Sequence, residues 1–346
     1  KPILSHALLQ AGADNSLLLK GTDTEVTLQI LLHELNVQDA GAITVPAAKL
    51  LDVVRHLPAQ ATIYCSLEKE QLLVKAAAGS VFRIATLPAE DFPALAEADM
   101  DRRIESDSRA LHDIMQKVRF SMASEDVRYY LNGMYLNIVE DGNAIHAVST
   151  DGHRLSCARS ALATPAPAGT NLIVPKKGVS ELIKLLGRVS QPVVLNLGER
   201  QLSLTLGGYR LTSQLIDGTF PNYEQVLPQL QETPVLISRQ TFLESLQRAK
   251  VLLLDRHDGI RLTFGEASLQ LAARNLENET ADETLEIINP QNLQLEVALN
   301  INYLIDAIAT ISGDNVQLHI ADGSSPCLIT SSDDEGVRYV IMPMRL

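Results

Sequence analysis

The segment STDGHRLS at 149–156 contains the residues most suggestive of catalysis. His153 stands between Ser149 and Ser156 and could act as a general base toward either hydroxyl. A serine nucleophile also needs a nucleophile elbow, commonly Gly-x-Ser-x-Gly, and an acidic group that orients the histidine. The sequence offers no such elbow and no identifiable acidic partner. We therefore interpret His153 as a histidine packed beside a hairpin rather than as a base.

Residue spacing gives no support for metal or cofactor chemistry. The other seven histidines are scattered without a His-Glu-x-x-His pattern, and Cys65, Cys157 and Cys327 include no Cys-x-x-Cys pair. The Asp-Asp-Glu run at 333–335 lacks the ligand spacing of a calcium loop, and we interpret it as a solvated turn. We predict no metal, no cofactor and no catalysis. A hydrolase that uses His153, or a nuclease that uses acidic side chains, is the enzymatic alternative.

The charge balance limits the partners that the whole surface can meet. Twenty-nine Lys and Arg against 42 Asp and Glu give a formal net charge of −13. This excess opposes general adhesion to nucleic acid or anionic lipid, although it permits a local basic face. No apolar run approaches the roughly 18 residues that span a bilayer. Together with the widely spaced cysteines, these features predict a reducing, cytoplasmic location without membrane contact.

Three segments of the chain share one pattern that must position these residues. In each, a short strand leads into a helix, at 44–57, 173–186 and 299–311. Alternating strands follow each helix, and a proline then follows an apolar residue. Asp-Gly pairs predict turns between strands at 141–142, 151–152, 217–218 and 322–323. A repeated pattern of this length indicates repeated domains.

A second helix and hairpin precede the pattern in two of the three copies, with the helices at 108–120 and 238–250. The first copy lacks them, so the repeat predicts that a strand and a helix are missing before Lys1. The fold class predicted is α+β, with two helices packed on antiparallel sheet in each unit. The three predicted domains comprise residues 1–102, 103–232 and 233–346.

The predicted helices are basic although the chain is acidic. Twelve Lys and Arg against six Asp and Glu lie in five helices, taken as 47–57, 107–119, 176–188, 239–250 and 302–311. The last helix alone departs from this bias, and the rest of the chain has a net charge of −19. On one helix, such cations could simply promote solubility. Shared by repeated units, they indicate a lining that contacts phosphate backbone without reading bases.

Five blocks of sequence resemble one known family. They are VRYYLNGM (127–134), STDGHRLS (149–156), IVPKKGVSEL (173–182), IDGTFPNYEQVLP (216–228) and YVIMPMRL (339–346). In this order, the blocks resemble the bacterial β sliding clamps, the processivity subunits of the replicative DNA polymerase. The resemblance runs from Lys1 to Leu346, whereas TDGHR alone would indicate little.

The resemblance implies three topologically alike domains per chain and a closed head-to-tail dimeric ring, with helices lining the hole and sheet outside. Double-stranded DNA would thread the ring and be held topologically, without sequence readout. The implied partners are a second copy of the chain, the replicative DNA polymerase, an ATP-dependent clamp loader, and other polymerases and repair proteins that carry a clamp-binding motif. The alternative is a protein-interaction scaffold that does not enclose DNA.

The resemblance also implies a pocket between the second and third domains for linear motifs of roughly the form Gln-Leu-x-Leu-Phe. Its wall would comprise Arg128, Leu131, Thr150, Gly152, His153, Arg154, Leu155, Pro221, Val226, Val340 and Met342. Its second part would comprise Asn300, Tyr303, Pro343, Met344 and Arg345. An apolar cleft with a few polar anchors can bury Leu and Phe, and methionines adapt to varied partners. Position 225 is Gln where the family often has a basic residue, so the rim departs from the family there.

By the same resemblance, the DNA-binding residues would be Tyr129, Tyr130, Lys176 and Lys177, with Lys49, Arg55, Lys184 and Arg188 as further candidates. Sheet packing is the alternative role for the two tyrosines. The ring interface would pair the last strands of the first domain with a helix of the third. It would use Phe82 and Ile84 against Val251 and Leu252, although these apolar positions could equally belong to internal cores.

Overall fold

A computed structural model of the chain describes residues 2–76, 79–93, 99–167, 169–188, 190–253, 259–289 and 293–345. The helices in these ranges are α1 (Ala47–His56), α2 (Ser108–Val118), α3 (Lys176–Leu186), α4 (Arg239–Lys250) and α5 (Ile301–Thr310). Each predicted helix is confirmed to within two residues at either end. Among the described residues, no helix is both long and apolar enough to cross a membrane.

Twenty-four short strands are found in the same ranges. In chain order they are β1 (His6–Ala11), β2 (Leu17–Thr22), β3 (Val26–Leu32), β4 (Gly41–Pro46), β5 (Ile63–Glu68), β6 (Gln71–Ala76), β7 (Val81–Ala85), β8 (Leu87–Pro88), β9 (Arg102–Asp107), β10 (Gly133–Val139), β11 (Ala144–Thr150), β12 (Arg154–Ala161), β13 (Asn171–Pro175), β14 (Pro192–Leu197), β15 (Gln201–Leu206), β16 (Tyr209–Gln214), β17 (Val235–Ser238), β18 (Gly259–Phe264), β19 (Ser268–Arg274), β20 (Thr280–Glu286), β21 (Leu295–Asn300), β22 (Asn315–His319), β23 (Cys327–Thr330) and β24 (Arg338–Ile341).

The chain forms two compact units that differ from the three sequence repeats. One comprises Lys1–Glu105 with Gln191–Leu215, and the other comprises Ser106–Ser190 with Ile216–Leu346. The difference arises because sheets continue across the repeats: β16 pairs antiparallel with β3, and β12 pairs antiparallel with β24. The boundaries at 102 and 232 stay a prediction.

The first unit contains a nine-stranded sheet in the order β8-β4-β1-β2-β3-β16-β15-β14-β9 and a three-stranded sheet, β5-β6-β7. Its core includes Leu9, Val45, Leu72, Val74 and Ile84. All six residues of β5 are exposed, and α1 has no buried residue.

The second unit contains an eight-stranded sheet, β13-β10-β11-β12-β24-β23-β22-β17, and a four-stranded sheet, β20-β19-β18-β21. Helix α2 packs on α3 and on β12, and α4 packs on α5. The sequence sets these helices locally. Asp107 caps α2 by accepting from the N–H groups of Arg109 and Ala110, and the apolar positions of α2 at helical spacing are buried.

The Asp-Gly turns were predicted correctly at three of four places. The pairs at 141–142, 151–152 and 322–323 each connect consecutive strands. The pair at 217–218 does not, because β16 ends at Gln214 and the next strand begins only at Val235. An Asp-Gly dipeptide favours a tight turn but does not require a strand on both sides of it.

Candidate peptide-binding site and basic helices

Three residues of the predicted pocket wall are buried together and form what we call the floor of the pocket. Leu131, Leu155 and Val340 belong to one buried cluster, with Phe220 and Tyr223 among its other members. The register of β12 with β24 places Leu155 directly opposite Val340. The structure thus brings together three wall residues that lie far apart in sequence.

Three apolar side chains of the predicted pocket are left at the surface. Val226 is 43% exposed, Met342 is 40% exposed and Met344 is 38% exposed. Exposed apolar side chains that together form one patch are typical of an interaction site, so these three side chains are candidates for contact with a partner.

The C-terminal segment is tied down at two points. The backbone N–H of Met342 donates to the carbonyl of His153 at 2.9 Å, and that of Met344 donates to the carbonyl of Ala298 at 2.8 Å. The segment through Met344 is therefore held between the β11–β12 hairpin and β21, and it is not a frayed tail. Arg345 follows it and is exposed.

Arg128 forms a polar corner above the hairpin turn. Its Nε and Nη2 donate to the two carboxylate oxygens of Asp126 at 3.0 and 2.8 Å, and Nη2 also donates to the carbonyl of Asp151. The bonds from Arg128 lower the pKa of Asp126 to about 2, so this carboxylate stays ionised. The guanidinium lies directly over Gly152, where a Cβ would come within 2.9 Å of Nη2.

The hairpin turn has its own internal order. The hydroxyl of Thr150 donates to the carbonyl of Arg154 at 2.6 Å and accepts from the N–H of Gly152 at 3.1 Å. Gly152 has φ +88°, a backbone conformation that favours glycine. The turn therefore presents Gly152 and the exposed His153 in a fixed geometry.

Arg154 connects the second repeat with the third. Its Nη1 donates to Asp306 on α5 at 2.6 Å, and its Nη2 donates to the carbonyl of Phe120 at 2.6 Å. Its Cζ lies 4.3 Å from the ring centroid of Tyr303, a cation–π contact. The two predicted parts of the pocket are thus in direct contact through Arg154 and Tyr303.

Asn300 has a structural role besides any ligand contact. Its side-chain oxygen accepts from the N–H groups of Asn302 and Tyr303 and caps α5. This cap fixes the first turn of α5 and so the backbone that carries Tyr303.

The serines of the hairpin are occupied by structural bonds. Ser149 donates its hydroxyl proton to the carbonyl of Val118, and the hydroxyls of Ser156 and Ser121 lie 2.6 Å apart. Both serines are buried, whereas His153 lies in the turn and is exposed. The structure supports no serine–histidine pair, and it corrects our prediction that His153 packs beside the hairpin.

The candidate DNA-binding lysines and arginines are exposed on or beside helices. Lys49 and Arg55 lie on α1 in the first unit, and four others lie at α3 in the second unit: Lys176, Lys177, Lys184 and Arg188. Lys176 donates to the hydroxyl of Ser124, and Lys184 pairs with Glu181 at 2.7 Å. These surface contacts are weak enough for a phosphate to replace.

The two tyrosines differ in their surroundings. Tyr129 is 57% exposed, whereas Tyr130 packs against the buried cluster beneath the pocket. The packing alternative thus describes Tyr130, and only Tyr129 presents most of its ring to solvent.

The four candidate interface residues also differ in their exposure. Ile84 is 6% exposed and belongs to the core of the first unit, with Phe82 packed against it. The internal-core alternative is therefore correct for Ile84. Val251, just after α4, is 65% exposed and Leu252 is half-buried.

Sequence reasoning missed several residues that contact the arginines of the predicted pocket wall. Asp126 and Asp306 each pair with a wall arginine, and Phe120 supplies a carbonyl and a ring to Arg154. One signal was available for Asp306. It lies three residues after Tyr303 and so on the same face of α5, a helix without basic residues.

Three family models match successive parts of the chain. They describe the DNA polymerase III beta subunit: its N-terminal domain over residues 1–96, its central domain over 105–222 and its C-terminal domain over 224–345. Together with the repeated helix-on-sheet fold, these matches define a clamp protein of DNA replication.

Relatives and solved structures agree with this class. The beta sliding clamp of Vibrio cholerae is 37% identical over 345 residues, covering 100% of this chain and 93% of the relative, and that of Escherichia coli K12 is 34% identical with the same coverage. A crystal structure of the DNA polymerase III subunit beta from Pseudomonas aeruginosa matches with a TM-score of 0.95 at 36% identity, covering 100% and 93%. A Pseudomonas aeruginosa clamp bound to griselimycin matches with a TM-score of 0.94 at 36% identity, covering 100% and 92%. The chain belongs to the beta sliding clamp family.

Proposed function

We propose that this protein is a non-catalytic DNA sliding clamp. Two chains form a ring around double-stranded DNA, and the ring tethers the replicative DNA polymerase. Membership of the beta sliding clamp family favours this function over a scaffold that never encloses DNA. An ATP-dependent clamp loader places the ring on DNA, and the protein works in the cytoplasm.

The partners bind at the pocket described above through short linear motifs. The observation that carries this proposal is the juxtaposition of a buried floor, Leu131, Leu155 and Val340, with two exposed methionines on an anchored strand end. A leucine and an aromatic side chain can bury against such a floor, and Met342 and Met344 can adapt to different partners.

The basic helices contact the DNA. Lys176, Lys177 and Tyr129 are the favoured contacts, with Lys184, Arg188, Lys49 and Arg55 in support. Exposed cations contact phosphates of any sequence and release counterions, which makes each contact weak and salt-sensitive. The ring interface uses Val251, Leu252 and Phe82. Ile84 supports it from the core.

The binding experiment uses a fluorescently labelled Gln-Leu-Ser-Leu-Phe peptide and the full chain. We expect micromolar affinity by fluorescence anisotropy, which corresponds to about 8 kcal/mol, and loss of binding in a variant that lacks residues 344–346. Leu346 itself lies outside the described residues. Absence of binding by the folded full chain would overturn the pocket.

A further inference from the structure

Asp306 lies outside the residues that the family resemblance assigns to the pocket, yet it contacts one of them. Its Oδ2 lies 2.6 Å from Nη1 of Arg154. The Arg154 side chain is only 13% exposed, and its other nitrogens donate to Asp151 Oδ2 and to the carbonyl of Phe120. Asp306 is the acceptor that the third repeat supplies to this guanidinium.

The position of Asp306 also bears on Tyr303. The two residues are three apart on α5, so their side chains share a face of the helix. The guanidinium of Arg154 reaches both: it bonds to the carboxylate and lies 4.3 Å from the centre of the ring. A charge-assisted hydrogen bond restricts the guanidinium more strongly than a neutral one.

We propose that Asp306 is a positioning residue of the peptide-binding pocket. It holds Arg154 against Tyr303 and so joins the wall of the pocket, on the second repeat, to its second part on α5 before a peptide arrives. A pocket whose side chains are already ordered loses less conformational entropy on binding. This inference rests on the proposed function of the pocket and identifies a residue on which that function depends.

The first test is Asp306→Asn, which keeps the side-chain shape and removes the charge. Because Asp306 lies outside the residues assigned to the pocket, we expect peptide affinity to fall by about three- to tenfold through loss of preorganisation. The control is Glu283→Gln, which removes another arginine–carboxylate pair of the third repeat, with Arg248 at 2.7 Å. It should leave affinity unchanged. Thermal unfolding of both variants verifies that each is folded.

The second test asks whether Asp306 acts through Arg154. In an Arg154→Met background, Asp306→Asn should cause no further loss of affinity, because the group it positions is gone. Without peptide, Asp306→Asn should also shift the ¹⁹F resonance of Tyr303 in protein labelled with 3-fluorotyrosine, assigned with Tyr303→Phe.

The outcomes separate the two proposals. Unchanged affinity and an unshifted Tyr303 resonance in Asp306→Asn would overturn the positioning role while the wild-type protein still binds peptide. An equal loss in the Arg154→Met background would also overturn it. Failure of the wild-type protein to bind peptide would instead overturn the pocket itself.

Discussion

Lys117 and Asp334 form a nearly buried ion pair between α2 and the turn before β24. Nζ lies 2.5 Å from Oδ1, and the side chains are 23% and 6% exposed. The other carboxylate oxygen of Asp334 accepts from the N–H of Ser312, and the hydroxyl of Tyr339 donates to the carbonyl of Lys117. One helix of the second repeat is thereby fixed to two segments of the third.

Asp334→Asn should destabilise the second unit. The substitution leaves a mostly buried ammonium without its counter-charge, so we expect the free energy of unfolding to fall by about 1–3 kcal/mol in urea denaturation. The control, Glu296→Gln, breaks the exposed pair with Arg261 and should cost less than about 1 kcal/mol. Equal losses in the two variants would contradict the structural role of the buried pair.

Gly152→Ala should impair peptide binding through Arg128. The new Cβ would come within 2.9 Å of the guanidinium, and φ of +88° is unfavourable for alanine. Gly169→Ala is the matched control, because Gly169 also has positive φ, +74°, but no atom within 4 Å of the added Cβ. Both variants should lose about 1 kcal/mol of stability from backbone strain. We expect weaker peptide binding, by anisotropy, only for Gly152→Ala. Comparable affinities would show that Arg128 can move without consequence.

His319 should make stability fall in mild acid. Nδ1 of His319 accepts a hydrogen bond from the N–H of Gln231. The hydroxyl of Thr330 donates its proton to Gln317, so it accepts a hydrogen bond from Nε2–H of His319. The fold therefore requires the neutral ring. Burial, assisted by the positive charge of Arg338, lowers the pKa of His319 below its usual 6.5.

The sign of the effect follows from proton binding. Below about pH 6.5 the imidazole of His319 binds a proton in the unfolded chain but stays neutral in the folded chain. The free energy of unfolding therefore decreases as the pH falls. Urea denaturation at pH 7.5 and at pH 5.5 should show that the free energy of unfolding decreases less between the two pH values for His319→Gln than for the wild type. His33→Gln, at an exposed histidine, should match the wild type. An identical pH dependence in all three proteins would argue against a titrating His319.

Lys176 and Lys177 should contribute to DNA binding in a salt-dependent way. Replacing both with Gln should lower the affinity for duplex DNA at low salt and reduce the slope of log K against log salt by up to about 2, because each phosphate contact contributes nearly one. The control replaces Lys69 and Lys75, two exposed lysines at β5 and β6, and removes the same charge. Equal effects of the two double variants would indicate a general charge effect and not a DNA-binding surface.

Local features of the fold could be predicted from sequence because local interactions determine them. Helix α4 lies where its pattern predicted it, at Arg239–Lys250, and Ser238 caps it. Apolar periodicity and capping residues act over one or two turns, so they are readable without knowledge of the fold.

Contacts between distant residues could not be predicted in this way. The run at 333–335 was predicted to be a solvated turn, but Asp334 is buried against Lys117, 217 residues away. Arg154 and Asp306 are 152 residues apart. The sheet that continues from β12 into β24 creates both contacts, and no local pattern in the sequence encodes that pairing.

The most direct test of the clamp function asks whether the protein is topologically linked to DNA. The full chain is incubated with nicked circular plasmid, ATP and the clamp loader of a related bacterium, and DNA-bound protein is separated by gel filtration. We predict that the protein co-elutes with the circle and is released when a restriction enzyme linearises it, because a ring slides off a free end. Equal retention on circular and linear DNA, or no retention on the circle, would contradict encirclement.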